Sequence, residues 1–300
     1  MKVLCIGHAS YDISIIVNEY PKENTKYRVD EKVECGGGPA CNAAYLLGCW
    51  DVDVYFQGIV GNDLYGKRII EELKQKKVNT DYVEQNNDED TSLSFIFVNK
   101  NNASRTLFNI GKKTAKIKKL KYDFTPDIIH IDGNYYEASI NAFEKFPNAI
   151  KVIDAGRITD ELLDLCHRVD YLVCSKGFAE TIAGIKIDYK NLTTLKEVYE
   201  KLEKEFLCHI VITLEEKGVL YRENNKIKIM SALKVNAVDT TGAGDFFHGA
   251  FVYGLVNKLP IEKCVKIANV AAGLTVKEIG RQNKVPDIEK VYEIYKKNGK

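Results

Sequence analysis

Three hundred residues with 45% hydrophobic side chains suffice for a buried core, and 43 Lys and Arg against 42 Asp and Glu leave no basic field to attract nucleic acid or anionic lipid. The eight cysteines are scattered, without a Cys-x-x-Cys pair or a zinc-finger spacing, which implies reduced, mostly buried thiols. The N-terminus enters a strand-like run directly and no apolar stretch approaches the ~18 residues of a membrane span, so the expectation is a cytoplasmic protein with no membrane or nucleic-acid partner.

Residues 2–7 are a short apolar run ending in glycine, the pattern of a buried parallel strand. Asp12 follows within an apolar stretch, where a lone acid reads as a turn or cap residue. Residues 26–34 alternate charged and bulky side chains and suit a strand with a wet face. Cys35-Gly36-Gly37-Gly38-Pro39-Ala40-Cys41-Asn42-Ala43-Ala44 then passes from a glycine turn into a helix of small residues, so bare backbone and a helix start meet. The dinucleotide spacing Gly-x-Gly-x-x-Gly is not completed there.

Residues 52–61 read as a second core strand. Gly61 to Lys67 fits Gly-x-x-x-x-Gly-Lys, but Arg68 stands where a phosphate-binding loop needs a hydroxyl for magnesium, so that reading is rejected. Residues 92–98 and 105–110, joined by a turn at 99–103, read as a hairpin that forms a small sheet with residues 26–34. The six lysines of residues 112–121 lack interleaved aromatics and read as solvated surface. Further apolar strands at 127–133, 151–155, 171–175 and 210–214 are separated by helical lengths, which means βαβ units and a parallel sheet. Ligands on such sheets lie beyond the carboxyl ends of the strands, where Asp12, the Gly36 loop, Asn134 and Asp154 fall. Asp154 reads as a local cap.

Val238-Asp239-Thr240-Thr241-Gly242-Ala243-Gly244-Asp245 opens a Phe-, Gly- and Ala-rich helix. Gly242 and Gly244 allow a sharp turn and close approach, and the helix start offers unpaired N–H groups and a positive dipole end. A phosphoryl group above these glycines and a hydroxyl beside Asp245 would make a phosphotransfer centre.

This octet and its helix resemble the C-terminal signature of the ribokinase-like (PfkB) carbohydrate kinases, and Gly37 to Ala44 resembles their first signature, Gly-Gly-x-x-x-Asn-x-Ala. The resemblance covers nearly the whole chain. It implies an α/β fold in which a central, mostly parallel sheet is flanked by helices and carries a small β-sheet lid. Residues 1–300 would be one kinase domain, with the lid built from about 13–35 and 92–111 and with lids pairing in a homodimer.

On the same resemblance, Asp245 is the base that deprotonates a sugar hydroxyl, and Gly242, Ala243 and Gly244 are the anion hole. Asp12, Asn42, Asn109 and either Gly36 or Gly37 would hold the sugar. Ser175, Thr213, Gly218, Gly242, Gly244 and Asn269 would meet the nucleotide. ATP and magnesium are the implied cofactors. The chain departs from the family's Asn-x-x-Glu, because Phe178 stands where the acid belongs and Glu180 lies two residues on. Residues 276–281, with Asp239 and Thr241, resemble a loop where many members hold a potassium ion through carbonyls.

The implied reaction is ATP-dependent phosphorylation of a hydroxymethyl group on a furanose or ketose sugar. A nucleoside kinase shares both signatures, and stacking by Tyr135 or Phe108 would be its mark. An inactive sugar- or nucleotide-binding regulator would not need Asp245. Gly36 to Ala40, Lys26-Tyr27, and Asp239 to Ala250 with His248 look closest to the branch that includes ketohexose and modified-fructose kinases, which leads us to expect ketoses before ribose or adenosine. Lys26, Arg28 and Arg105 are the lid cations that could meet an anionic substrate, though exposed charges of this kind usually just solvate a surface.

Overall fold

The computed structural model describes residues 1–111 and 115–297. Lys112 and Lys113 of the lysine-rich stretch lie outside the described residues. In chain order the strands are β1 (Lys2–Ile6), β2 (Ser10–Val17), β3 (Lys32–Gly37), β4 (Asp53–Gly61), β5 (Asn79–Asn86), β6 (Leu93–Asn99) and β7 (Arg105–Ile110). They continue with β8 (Ile128–Ile131), β9 (Ile150–Ala155), β10 (Tyr171–Ser175), β11 (His209–Thr213), β12 (Val219–Glu223) and β13 (Lys226–Met230). The helices are α1 (Pro39–Cys49), α2 (Leu64–Gln75), α3 (Tyr136–Lys145), α4 (Asp160–Cys166) and α5 (Lys176–Ala183). After them come α6 (Leu192–Phe206), α7 (Ala243–Val256), α8 (Ile261–Thr275), α9 (Arg281–Lys284) and α10 (Ile288–Lys297).

The main sheet has nine strands in the order β13-β12-β11-β10-β9-β8-β1-β4-β5. From β5 to β11 the neighbours pair in parallel, and β12 and β13 close one edge as an antiparallel hairpin. Helices cover both faces, which is why the central strands read as unbroken apolar runs. Successive residues of β1 feed opposite cores. Val3 and Cys5 pack on one side with α1, α7 and α8, while Leu4 and Ile6 pack on the other with α3 to α6. Full burial of each such aliphatic side chain contributes about 1.5–3 kcal/mol.

The second sheet has four strands in the order β3-β2-β6-β7, with β2 and β6 parallel and both outer pairs antiparallel. The expected α/β fold with a small separate sheet is therefore present. The hairpin of β6 and β7 falls where the sequence places it. The strand expected at residues 26–34 is instead confined to Lys32–Gly37. Only Ser10 to Ile15 of β2 face it, so residues 26–31 have no strand partner and lie exposed. Strands β5, β12 and β13 escaped the apolar-run criterion. The sequence of β5 is mostly polar, and the β12–β13 hairpin turns on Asn224 and Asn225, both at positive φ.

Candidate active site

Helix α7 starts at Gly242, whose φ of 76° is the left-handed conformation that favours glycine. The Ala243 N–H turns back to Thr240 O at 3.3 Å, and Phe246 N–H donates to Gly242 O at 3.0 Å. A side chain at Gly244 would meet nothing within 4 Å, so the first turn opens to solvent. Asp245, half-buried in that turn, accepts a hydrogen bond from Asn42 Nδ2 at 2.7 Å. Burial, followed by the nearby Asp154 carboxylate, pushes the Asp245 pKa up to about 6.

Asn42 reaches Asp245 because α1 and α7 cross closely. A Cβ on Gly249 would lie 3.0 Å from Ala43 O, so any larger residue would push the two backbones apart by a few tenths of an ångström. Behind Asn42 stands Arg281, 3% exposed, which sequence reasoning did not single out as a site residue. Its guanidinium donates to Asn42 Oδ1 at 3.4 Å and to Cys41 Sγ at 3.3 Å, pairs with Glu72, and lies 4.4 Å from the Tyr45 ring centroid. A cation at Oδ1 orients the amide so that Nδ2 faces Asp245. Glu72 also accepts from Gly36 N at 3.0 Å, tying α2, β3 and α9 into one knot.

On the small sheet, Cys35, Asp12, Ser94 and Asn109 stand in one register row across β3, β2, β6 and β7. Asp12 accepts from Ser10 Oγ at 2.9 Å. Burial raises its pKa, and hydrogen bonds from Ser10 and Ser94 oppose the rise. A Cβ on Gly37 would collide with the Asp12 carboxylate, whereas one on Gly36 would collide with Arg281. Gly37 is thus the glycine beside Asp12, and Gly36 belongs to the arginine knot. Arg105 on β7 donates to Thr240 Oγ1, so the small sheet touches the turn before α7. Beyond the carboxyl ends of β1, β4 and β8 opens a cleft lined by His8, Gly61, Ser92, Asn134 and Tyr135 among others. Phe108 is 55% exposed and stacks edge-on with Phe97 rather than facing that cleft.

The residues assigned to the nucleotide gather at the carboxyl ends of β10 and β11 and on α8. Ser175 caps α5, its Oγ accepting from Phe178 N at 3.2 Å. Thr213 Oγ1 donates to Cys174 O at 3.2 Å. Gly218, at φ 110°, is pressed against the backbone after β13, and Asn269 Nδ2 donates to Ser231 O at 2.7 Å. Each therefore shapes the turns of this region.

With this geometry in place, comparison of the whole chain decides the family. A model described as pfkB family carbohydrate kinase matches residues 1–288. The chain belongs to that family. Curated relatives include a ribokinase of Staphylococcus aureus, 28% identical over 98% of this chain and 99% of its own, and a nucleoside kinase of Methanocaldococcus jannaschii, 26% identical over 99% and 97%. The solved structure of Arabidopsis thaliana ribokinase with ribose and ATP has the same fold, with a TM-score of 0.80 at 23% identity, covering 98% of each chain. As a PfkB member the protein is an ATP-dependent carbohydrate kinase.

The family frame gives meaning to three further features. Phe178 is 2% exposed in the core, and Glu180 accepts from Ile187 N at 2.8 Å and pairs with Lys186 at 3.0 Å. Neither side chain is free to replace the missing acid of Asn-x-x-Glu. Among the described residues no group of three His, Cys, Asp or Glu side chains is placed to hold a metal ion. Second, the Gly61 to Lys67 segment is a packing turn, because Asp63 caps α2 by accepting from Gly66 N at 2.8 Å. Third, Asp154 is no simple cap. It pairs with His248 Nε2 at 3.1 Å, and the His248 ring lies 5.6 Å from that of His130. Burial would raise the Asp154 pKa, but the His248 charge and hydrogen bond outweigh it and hold the carboxyl low. Burial drives His130 down to about 3, leaving it neutral. Among the described residues no helix is long and apolar enough to cross a membrane.

Proposed function

We propose that this PfkB kinase transfers the γ-phosphoryl group of ATP to the hydroxymethyl group of a furanose or ketose sugar, with Asp245 as general base. The observation that carries the reading is the Asn42–Asp245 hydrogen bond at 2.7 Å at the open start of α7. It holds a carboxylate beside helix N–H donors that have space above them. A base with a pKa near 6 is ionised at neutral pH and still basic enough to take a proton as the hydroxyl attacks.

Asp12, beside bare Gly37, is suited to accept hydrogen bonds from sugar hydroxyls, and Asn109 stands in its row. The amides around Gly242 and Gly244 then take up the charge of the transferring phosphoryl group. Ser175, Thr213, Gly218 and Asn269 border the nucleotide. Magnesium would accompany ATP as its counter-ion, a role that needs few protein carboxylates beside phosphates and waters. Bound there, it would neutralise phosphate charge.

A nucleoside acceptor is the second reading, favoured by the M. jannaschii relative and by Tyr135 in the wall of the cleft. A coupled ATPase assay with ribose, fructose, an anionic fructose derivative and adenosine separates the two. Turnover of a free sugar supports the first reading, with fructose ahead of ribose if the ketose expectation holds. A preference for adenosine replaces it with the second.

The small sheet would act as the lid and join two subunits. All six residues of β7 are exposed, among them Leu107, Phe108 and Ile110, on an edge strand with unpaired backbone groups. Sedimentation at micromolar concentration should give a dimeric mass, and a monomer would refute the lid contact.

A further inference from the structure

Asp239 and Thr241, the residues through which the family resemblance would place a potassium ion, are already engaged. Lys284 Nζ lies 2.7 Å from Asp239 Oδ2, 2.6 Å from Thr241 O and 3.2 Å from Asp239 O. Lys284 is 4% exposed and Asp239 1%. An ammonium has three N–H donors, and here three oxygens converge on them. A metal ion bound by these oxygens would occupy the volume of Nζ, so the residues present do not fit potassium.

We propose that Lys284 is the enzyme's built-in monovalent cation and that catalysis is independent of potassium. The arrangement explains itself in the backbone. In a trans peptide the C=O and the following N–H point in opposite directions. Holding Thr241 O on Lys284 therefore turns the Gly242 N–H away from it. Asp239 secures the same turn, since its Oδ1 accepts from Thr241 N at 2.8 Å and its own N–H donates to Val276 O at 3.1 Å. The lysine arrives from α9, whose first residue is the Arg281 that steadies Asn42. One short helix thus supplies a cation to each side of the site. A tethered ammonium needs no ion from solution; burial lowers the Lys284 pKa, and the Asp239 carboxylate 2.7 Å away opposes the fall.

The test compares potassium chloride with choline chloride at equal ionic strength. Because the activity arm rests on the phosphotransfer reading, thermal unfolding is measured alongside and reads the cation site whatever the acceptor. For the natural sequence, kcat/KM should change less than about twofold and the melting temperature should be the same in both salts. Lys284→Ala, which opens the pocket, should lose roughly tenfold or more in kcat and melt lower in choline, with potassium or ammonium restoring part of both. Lys284→Met, which fills the space without charge, should not be rescued. Clear activation or thermal stabilisation of the natural sequence by potassium would overturn the proposal, and that comparison stands even if the variants fail to fold. Rescue of Lys284→Met by potassium as effective as that of Lys284→Ala would overturn it too.

Discussion

Helices α1 and α7 both begin where a glycine turn meets a run of small apolar residues, yet the two ends are finished differently. At α1 the donors are used internally. Pro39 has no N–H, Ala40 N–H reaches Asp132 Oδ2 at 3.3 Å, and Asn42 N–H donates to Gly38 O at 2.8 Å. Asp132 also accepts from His8 N at 2.8 Å and Asn134 N at 3.0 Å, so a protein carboxylate sits where an anion would bind. At α7 the Ala243 N–H turns back to Thr240 O, but among the described residues no carboxylate accepts from the first-turn N–H groups, and the space over Gly244 is open. A glycine-rich helix start is thus an anion site only where the fold leaves it uncapped.

The sharpest way to break this contrast is to remove the charge beside the open end. Asp245→Asn should lower kcat by a factor on the order of 10² to 10⁴ and leave sugar affinity nearly intact. Calorimetry and steady-state kinetics check both halves, and full turnover would sink the assignment of the base.

At the capped end the effect should be on stability. Asp132→Ala strands the buried N–H of Ala40 and the partly buried N–H groups of His8 and Asn134, which should cost about 3 kcal/mol in urea unfolding. Turnover per folded molecule should change far less than in Asp245→Asn. An equal loss of turnover would mean that α1, too, serves the chemistry through its N-terminus.

These two ends also show what could be read in the chain. The Gly242 to Asp245 turn is legible because its donors, its base and its helix are contiguous. The closed state of α1 is not, because Asp132 lies 92 residues from Ala40 and looks like any acid at a strand end. Arg281 and Lys284 escaped notice as site residues for the same reason, standing 239 residues from Asn42 and 45 from Asp239. The available signal was a pair of cations, one ending the 276–281 loop and one three residues beyond it. The central strands were legible because burial on both faces demands apolar runs. Strand β5 was not, because an edge strand can stay polar.

A third comparison sets Asp12 against Asn42. Asp12→Ala should raise KM, removing a partner of the sugar hydroxyls at a cost of about 1–3 kcal/mol, with a smaller change in kcat. Asn42→Ala should reduce both sugar affinity and kcat, because Asn42 also orients Asp245. Calorimetric affinities and kcat values that move in parallel for the two variants would contradict the dual role of Asn42.

The smallest effect concerns the layer beneath Asp245. Its pKa is raised to about 6 by burial first and by Asp154 second, while Asn42 and the His248 charge act in the opposite direction, and Asp12 adds to the rise. A raised carboxyl pKa means that the group becomes protonated, and useless as a base, as pH falls through about 6, so kcat/KM should show its acid limb there. Asp154→Asn removes a negative neighbour that disfavours ionisation, which lowers the Asp245 pKa and moves the limb to more acidic pH. His248→Gln removes a neighbour whose electrostatic effect opposes the rise, and should move the limb the other way. Opposite displacements of one limb by two contacting residues would not arise from a merely structural role, which predicts lower activity at every pH. Profiles that keep the same acid limb in both variants would show that the Asp154–His248 pair packs α7 against β9 without tuning Asp245.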